Sequence, residues 1–312
     1  MAYKTEQLII AARLYYYEQL THSEIAERMN LSRVAVTRML KTALDKGLVR
    51  IVIEDIPVDL SELNSRLCEK YDLEKVIITE RHKYSQQENF KEMCAAAAEY
   101  ISGALVPGNI LGLGWGRCVF ETVNQLRKGG KKESEIIPII GGLDEKDDFY
   151  DLNHIVSLAA EKLGCKHSKL FIPAIVDSYD LREAMKTVSQ ISNLCAKWDR
   201  MDIAVVGIGA LSTKLPLNVS NFLKEHTLDY DDLKIVADVC CNYLDKNGMS
   251  IETILKDSLI GANLRQLEKT PKTVAIACGQ EKVNAILACL NNGFINVLVT
   301  DSQTALSLAD RE

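Results

Sequence analysis

The sequence predicts an α/β protein in which a small N-terminal winged helix-turn-helix precedes a larger domain with a doubly wound, mostly parallel sheet. Two patterns support this prediction. Residues 20–55 have the spacing of two helices joined by a tight turn and followed by a short pair of strands, and later residues alternate between short β-rich runs and helices. Alternation of this kind is typical of a parallel sheet covered on both faces. A length of 312 residues, 47% of them hydrophobic, fits two domains, which we place at 1–56 and 57–312.

Three helices are predicted for the N-terminal domain. Residues 4–18 form the first, which would complete a small core. The second, over residues 23–29, has its apolar residues on one face and a possible cap at Thr21 or Ser23. Asn30 then makes the turn to the third helix, because asparagine tolerates the left-handed backbone conformation.

The third helix carries the predicted DNA contacts, and Ser32 is its cap. We expect Val34, Met39 and Leu40 to face inward and the opposite side of the first turns to face solvent. Guanidinium groups suit guanine edges and phosphates, and small groups suit thymine methyls, so this outward side fits a DNA groove. The predicted DNA-binding residues are Ser32, Arg33, Val36, Thr37, Arg38 and Lys41.

Local charge supports the same interpretation. Between Ser32 and Arg50 there are five basic residues against one acid, Asp45, a local charge of +4, whereas the whole chain has a net charge of −6. Clustered positive charge supplies non-specific DNA affinity. Gly47 ends the helix, and residues 48–54 alternate as a strand would, which predicts a wing. An ordinary helical hairpin has the same spacing and is the alternative interpretation.

The larger domain begins after Ile56-Pro57 with a predicted linker helix over residues 60–71. The predicted strands are 76–79, 110–113, 136–140, 169–172, 203–207, 273–277 and 296–300. The predicted helices are 87–104, 116–127, 153–163, 180–198, 230–244, 280–291 and 302–309. Ligands of doubly wound sheets bind beyond the carboxyl ends of the strands.

Glycine-rich turns follow four of these strands. Glycines let backbone N–H groups approach an anion, and a helix N-terminus adds favourable partial charge. Each turn alone could be only a tight connection, but their convergence on one edge indicates a phosphate-bearing small molecule. The pattern GxGxGR does not match the dinucleotide fingerprint GxGxxG, and no GKS or GKT occurs. The turns are Gly112–Arg117, Gly141-Gly142, Gly207-Ile208-Gly209, and Cys278-Gly279 with Lys282 one turn later.

Composition predicts a cytoplasmic protein without a resident cofactor or metal. The first twenty residues carry four charges, unlike a signal peptide, and no apolar run approaches the roughly 18 residues of a membrane helix. The nine cysteines are scattered and contain no CxxC pair, which favours small core residues in a reducing compartment. We expect Cys240-Cys241 to lie inside a helix, with a redox switch as the alternative. There are five histidines, without metal-ligand spacing.

Six segments carry a family resemblance that runs from about Ala11 to the end of the chain. They are ARLYYYEQLTHSEIAERMNLSR, PGNILGLGWGR, PIIGG, DIAVVGIGA, VADVCCNYLDKNG and VAIACGQEKVNAILACLNNGFINVLVTD. Together they resemble the SorC/DeoR family of bacterial sugar-responsive transcriptional regulators. The resemblance implies a winged helix-turn-helix and an effector domain resembling phosphosugar isomerases. It also implies homotetramers (dimers of dimers) on double-stranded operator DNA, with release or activation by a phosphorylated sugar or polyol.

The resemblance further implies an effector site by position. The loop Gly114–Cys118 corresponds to a phosphate cradle, other glycine-turn residues line the cavity, and Asp238 and Lys282 contact the sugar or its phosphate. A carboxylate can accept from two hydroxyls at once, and a lysine offers a point charge to an anion. The implied effector-binding residues are Gly114, Trp115, Gly116, Arg117, Cys118, Gly142, Gly207, Ile208, Gly209, Ala210, Asp238 and Lys282.

These observations predict a DNA-binding regulator of a carbohydrate-utilisation operon, controlled by a phosphorylated sugar or polyol, and not an enzyme. Some family members bind their effector through a Schiff-base lysine just before the glycine pair of the third strand. This chain has residues 138–140, Pro-Ile-Ile, at that point, so covalent capture is not expected. One alternative is a sugar-phosphate isomerase-like enzyme with an appended helical domain, for which Asp238, His154 and His167 are the candidate acids and bases. Another is a DNA-binding module whose large domain only oligomerises, which the glycine turns argue against.

Overall fold

A computed structural model describes residues 3–49, 59–81, 85–142, 151–210, 234–251 and 254–311. Contacts within the chain divide it into two compact units, Met1–Pro57 and Val58–Glu312. Each unit has its own hydrophobic core. Within the described ranges, every helix is too short or too polar to cross a membrane.

The N-terminal unit contains three helices, α1 (Thr5–Tyr16), α2 (His22–Met29) and α3 (Arg33–Asp45). A capping box starts α2: the Thr21 hydroxyl accepts from the backbone N–H of Glu24, whose carboxylate accepts in return from the Thr21 N–H. Asn30 ends α2 in the left-handed conformation, as predicted, with φ 52° and ψ 49°. The buried core is Leu8, Ala11, Ala12, Leu14, Ile25, Ala26, Val36, Met39, Leu40 and Ala43.

The prediction for the two valines of α3 was wrong. Val36 was expected to face DNA, but its side chain is fully buried, whereas Val34 is 61% exposed. The reason is helical phase: Val36 precedes Met39 and Leu40 by three and four residues, which puts the three side chains on one face. Val34 lies about 200° away from Val36 around the helix, since each residue advances by about 100°.

Because Val36 is buried and Val34 is exposed, replacing each by alanine should affect stability differently. Val36→Ala should lower the stability of the N-terminal unit by about 2 kcal/mol, because it removes two buried methyl groups and leaves a cavity. Val34→Ala is the matched control and should change stability by less than about 0.5 kcal/mol. Hydrogen exchange of the α1–α3 amides in the full-length protein measures both changes. Equal protection in the two variants would contradict the burial of Val36.

Gly47 ends α3 as expected, with φ 68°. The predicted wing at 48–54 lies mostly outside the described residues. Leu48 and Val49 are described, and neither belongs to a strand.

The larger unit contains ten strands among its described residues. They are β1 (Lys75–Thr79), β2 (Ile110–Leu113), β3 (Glu135–Pro138), β4 (Lys166–His167), β5 (Ile203–Gly207), β6 (Gly209–Ala210), β7 (Ala237–Val239), β8 (Asn242–Leu244), β9 (Lys272–Ile276) and β10 (Val297–Asp301). Seven of them form one sheet in the order β1-β10-β9-β5-β2-β3-β4. Every neighbouring pair in that sheet is parallel, which confirms the predicted fold class. A second, antiparallel sheet has the order β6-β7-β8.

Helices connect and cover the strands of the large sheet. They are α4 (Leu60–Tyr71), α5 (Gln86–Ala104), α6 (Arg117–Gln125), α7 (Leu152–Leu163), α8 (Tyr179–Lys186), α9 (Ser189–Trp198), α10 (Ile254–Ser258), α11 (Leu264–Lys269), a 3₁₀ turn (Gln280–Lys282), α12 (Val283–Asn292) and α13 (Ser302–Ala309). The predicted helix at 180–198 is thus two helices. The predicted strand at 169–172 is absent from the described sheet, whose edge strand is β4.

The predicted helix at 230–244 was also wrong where the structure describes it. Residues 237–244 form the hairpin β7–β8, and residues 230–233 lie outside the described ranges. Cys240 and Cys241 occupy the two turn positions, with φ 51° and 61°. A two-residue turn of this kind requires positive φ at both positions, which asparagine and glycine usually supply and cysteine rarely does.

The C-terminal half of α4 contacts the end of the last helix. Arg66 donates a hydrogen bond of 2.8 Å to the carbonyl of Ala309, and the Tyr71 hydroxyl donates one of 2.8 Å to the carbonyl of Leu308. The ammonium group of Lys70 also donates to both carbonyls. These side chains satisfy carbonyl groups that have no partner within α13.

Candidate functional site

The four predicted glycine turns converge at the centre of the large sheet. They follow β9, β5, β2 and β3, which are neighbours in that order, and the carboxyl ends of parallel strands lie at one edge. The structure therefore brings together turns that are far apart in the sequence. This edge is the usual ligand position in a doubly wound fold.

The turn after β2 leads directly into α6. Its Gly116 has φ 114° and ψ 165°, a conformation that only glycine adopts readily, and Arg117 and Cys118 follow as the first helical residues. Backbone N–H groups in the first turn of a helix have no partner within the helix, so they are available to an anion. The N–H of Gly114 differs, because it donates a 2.8 Å hydrogen bond to the carbonyl of Val205.

Gly114 instead permits close packing. A Cβ atom at Gly114 would lie 2.8 Å from the Cys240 sulfur, so a side chain there would displace the β7–β8 turn. The backbone N–H of Trp115 also interacts with the Cys240 thiol, whose pKa is raised to about 12 by burial and by the charge of Asp238. The hairpin therefore lies against the turn that follows β2.

The positive charges of Arg117 and Lys282 both act on this turn. The guanidinium of the exposed Arg117 is 4.6 Å from the centre of the Phe90 ring on α5, a cation–π distance. Burial raises the pKa of the Cys118 thiol, while the positive charges of Lys282 and Arg117 oppose that rise. Lys282 thus contributes positive potential at the first turn of α6.

Lys282 is held over the neighbouring turn after β5. Its ammonium group donates a 2.7 Å hydrogen bond to the carbonyl of Ile208. Lys282 follows Gly279, which has φ 114° and ψ 143°, nearly the conformation of Gly116. Strands β2 and β9 are thus each followed by a glycine in a similar conformation and then by a helical turn. Arg117 lies at the first of these helical turns and Lys282 at the second.

Asp238, on strand β7 of the hairpin, lies next to the turn after β5. It pairs with Gly209 in the β6–β7 register, and its Oδ1 accepts a 2.8 Å hydrogen bond from the Cys241 N–H. Burial raises the pKa of the Asp238 carboxyl to about 7, although the Cys241 N–H favours its ionised form. The other carboxylate oxygen, Oδ2, faces Gly209, since a Cβ atom on Gly209 would lie 3.7 Å from it.

The remaining predicted residues divide into two groups. Gly207 lies near the Trp115 carbonyl, since a Cβ on Gly207 would be 3.9 Å away from it. Ile208 and Ala210 are buried, so they offer their backbones rather than their side chains. The N–H of Gly142 donates to the carbonyl of Ile172, and its carbonyl accepts from Ala174, so its backbone cannot serve an anion.

The predicted DNA face of α3 is exposed apart from Val36. Arg33, Arg38 and Lys41 all point to solvent, and the Ser32 hydroxyl accepts a 3.1 Å hydrogen bond from the Ala35 N–H as an N-cap. Thr37 is exposed as well, and its hydroxyl donates to the Arg33 carbonyl at 3.1 Å.

Comparisons with known proteins match both units of the chain. The family described as "Putative sugar-binding domain" matches residues 56–309, and region 4 of sigma-70 matches residues 5–46. The sorbitol operon regulator of Klebsiella pneumoniae is 28% identical over 96% of each chain, and the deoxyribonucleoside regulator of Bacillus subtilis is 26% identical over 98% of each. The crystal structure of full-length SorC from K. pneumoniae superposes with a TM-score of 0.74 at 27% identity, covering 98% of this chain and 99% of that one. The chain belongs to the SorC/DeoR family.

Membership in the SorC/DeoR family makes the chain a transcriptional regulator with a C-terminal sugar-binding domain. Two surface grooves of this SorC/DeoR protein lie away from the candidate site. One of about 700 Å³ lies between α4, β1 and α5, and one of about 490 Å³ lies between α5 and α6. Neither is lined by a predicted effector residue, so we place the site by its chemistry.

Two residues at the site of this SorC/DeoR protein were missed from the sequence. Phe90, which stacks on Arg117, has no sequence signal, because an aromatic residue in an amphipathic helix is usually part of the core. Cys240 has no sequence signal either, because cysteine rarely takes the left-handed conformation that this turn position has.

Proposed function

We propose that this SorC/DeoR chain binds double-stranded operator DNA through α3 and that a phosphorylated sugar or polyol controls the binding. The observation that carries the proposal is that positively charged groups and a carboxylate lie close together around residues 207–209. Lys282 provides positive charge, the first turn of α6 provides N–H groups that have no partner within the helix, and Asp238 provides a carboxylate. A ligand with an anionic end and a hydroxylated end matches both.

The anionic end fits the turn after β2. Arg117 and the N–H groups at the start of α6 suit the oxygens of a phosphate, and the helix dipole adds to the attraction. Lys282 approaches the same turn from the other side, as its effect on the Cys118 thiol indicates. An unphosphorylated sugar would leave this positive region without a counter-charge.

The hydroxylated end fits Asp238. A carboxylate is an acceptor that can bind two hydroxyls at once, and sugars and polyols present adjacent hydroxyls. The names of the relatives, a sorbitol operon regulator and a deoxyribonucleoside regulator, point to ligands of this class. The operon controlled by this chain is accordingly proposed to serve carbohydrate utilisation.

A regulator without enzymatic activity explains the site better than an isomerase does. An isomerase needs an acid and a base close to the substrate. His154 and His167 are exposed, on α7 and on the edge strand β4. Incubation with sugar phosphates, followed by NMR, tests for turnover and would reveal an enzyme directly.

The proposal is tested by a mobility-shift assay with DNA selected from a random library, repeated with sugar phosphates and with the corresponding free sugars. A phosphorylated ligand should change DNA affinity, and the free sugar should not at the same concentration. Thermal unfolding identifies the ligand independently, because a ligand at about 100 times its dissociation constant stabilises a protein by about 2.7 kcal/mol. Failure of every sugar phosphate to alter either readout would refute the effector assignment.

Arg33→Ala and Arg38→Ala should each weaken binding to the selected DNA. Loss of a base contact costs about 1–3 kcal/mol and relaxes the sequence preference, whereas loss of a phosphate contact reduces the salt slope by about one. Arg28→Ala is the control, because Arg28 is an exposed residue of α2 that pairs with Glu18 at 2.8 Å. Fluorescence anisotropy across a salt series measures all three. Wild-type affinity in both α3 variants would remove α3 from the DNA interface.

We also propose an assembly with an even number of subunits, a dimer of dimers. One three-helix unit offers few contacts, and two units related by a two-fold axis double the contacts and fix the half-site spacing. Light scattering should give a multiple of the 34.8 kDa chain mass, about four times that value. A particle of single-chain mass, both free and on DNA, would contradict the assembly.

A further inference from the structure

The exposed face of α3 carries an apolar spot among its charged residues. Val34 is 61% exposed. Thr37, Arg38 and Lys41 follow it by three, four and seven residues, a spacing that places all four on one side of the helix. Arg33, the preceding residue, is also exposed.

The hydroxyl of Thr37 is already engaged. It donates to the carbonyl of Arg33 at 3.1 Å and lies 3.2 Å from Nδ1 of His22, on α2. A threonine side chain has one hydroxyl and one methyl group on Cβ, so the methyl is the branch left to contact a partner. Thr37 therefore extends the apolar surface of Val34, even though both residues lie between cations.

The positive charge around this apolar spot favours a partner with negative charge, such as DNA. Arg33, Arg38 and Lys41 make the rim positive, and the bases within the major groove of DNA are reached between two rows of phosphates. Within that groove thymine is the base that presents an apolar group, its C5 methyl. Apolar side chains next to arginine and lysine therefore match a thymine next to phosphates or guanines.

We infer that Val34 and the methyl of Thr37 contact the C5 methyl of a thymine and so specify a T·A pair in the operator. The inference rests on the proposed DNA-binding function and adds the base that two residues recognise. It also assigns Val34 a role in specificity that the sequence pattern had given to Val36.

The test uses deoxyuridine, which pairs like thymine but lacks the methyl group. A duplex is selected from a random library with the full-length wild-type protein, and each thymine is then replaced singly by deoxyuridine. Wild-type affinity should fall about 3- to 10-fold at one or two positions, the effect of losing one buried methyl contact.

Matched variants assign that loss to residues. Val34→Ala and Thr37→Ser should bind the thymine and deoxyuridine duplexes almost equally, because each variant lacks an apolar group. Thr37→Val keeps a methyl group and loses the hydroxyl, so it should keep the discrimination. Arg38→Ala should weaken both duplexes by the same factor. Circular dichroism and hydrogen exchange verify that each variant is folded.

The outcomes separate this inference from the function on which it rests. Equal wild-type affinity for every deoxyuridine duplex overturns the inference, as does full discrimination in both Val34→Ala and Thr37→Ser. In either case selective DNA binding would stand. If selection with the wild-type protein recovers no bound duplex, the proposed function itself fails.

Discussion

Asp238→Ala is expected to bind operator DNA like the wild-type protein and to lose about 10- to 100-fold in effector affinity. The sugar hydroxyls would enter the site without their acceptor, and an unpaired buried polar group costs about 1–3 kcal/mol. Asp238 lies on β7 in the larger unit, whereas the predicted DNA contacts lie in α3. Titration of the effector by thermal shift, alongside the mobility-shift assay, measures both properties.

Asp238→Asn is the informative control, because an amide oxygen can still accept from the Cys241 N–H and keep the β7–β8 turn in place. Asparagine offers one acceptor oxygen without charge, so its effector affinity should fall between those of the wild type and Asp238→Ala. A wild-type response in Asp238→Ala would make the carboxylate structural and place the effector elsewhere.

The titration of Asp238 gives this prediction a pH dependence. Burial raises the pKa of the carboxyl to about 7. Below that pH the group becomes protonated and is a weaker acceptor of hydrogen bonds from the sugar hydroxyls. Effector affinity should therefore fall as pH drops below about 7 in the wild type, and not in Asp238→Asn. Stability has the opposite sign: the folded state retains a proton that the unfolded chain releases near 3.8, so the contribution of this group to stability decreases as pH rises from about 4 to 7.

Gly141→Ala is expected to destabilise the larger unit by about 3 kcal/mol. A Cβ atom at Gly141 would lie 2.6 Å from the carbonyl carbon and oxygen of Pro173 and 2.7 Å from the nitrogen of Ala174, all of them backbone atoms. The Gly141 N–H also donates to the carbonyl of Ile260 at 2.9 Å, so the two neighbouring segments cannot both move away without losing hydrogen bonds. Urea unfolding followed by tryptophan fluorescence measures the change.

The adjacent glycine is the matched control. A Cβ on Gly142 would meet only the carbonyl oxygen of Ile172, at 3.6 Å, which is an ordinary contact. Gly142→Ala should therefore change stability by less than about 1 kcal/mol. Trp198 is a suitable reporter, since its indole N–H donates to the Pro138 carbonyl at 2.9 Å close to this turn. Similar midpoints for the two variants would show that the backbone at Gly141 adjusts more freely than its contacts indicate.

The sequence predicted the central strands well. The bounds of β2 and β5 match the prediction to the residue, because both are short apolar runs that end at glycine-rich turns. The β7–β8 hairpin was predicted as a helix, because Cys240 and Cys241 take left-handed conformations that their residue type does not signal. One local and one long-range contact hold that turn: the Asn242 side chain donates to the carbonyl of Val239 and to that of Ala262, twenty residues away, both at 3.0 Å.

The sequence predicted which edge of the sheet carries the candidate site, but not which backbone groups at that edge are already hydrogen-bonded. Glycine turns after parallel strands identified the edge, since strand direction alone brings such turns together. Which N–H groups remain free depends on pairing with distant segments, as Gly142 illustrates, and no local pattern reports that. The exchange of Val34 and Val36 is an error of helical phase that the sequence itself could have corrected, because Val36 and not Val34 has the i+3 and i+4 spacing to Met39 and Leu40.

The hydrogen bonds between α4 and α13 have a mechanical consequence. At its first turn α13 is joined to the candidate site, because the Thr304 hydroxyl accepts a 2.9 Å hydrogen bond from the Gly279 N–H. At its other end it is joined to Arg66 and Tyr71 of α4, the helix that begins the larger unit. A helix of eight residues spans about 12 Å, so α13 is a short, rigid element. It connects the turn that positions Lys282 with α4, the helix nearest in sequence to the N-terminal unit. The Gly279 turn and α4 are therefore connected through α13 by hydrogen bonds between side chains and backbone at both of its ends.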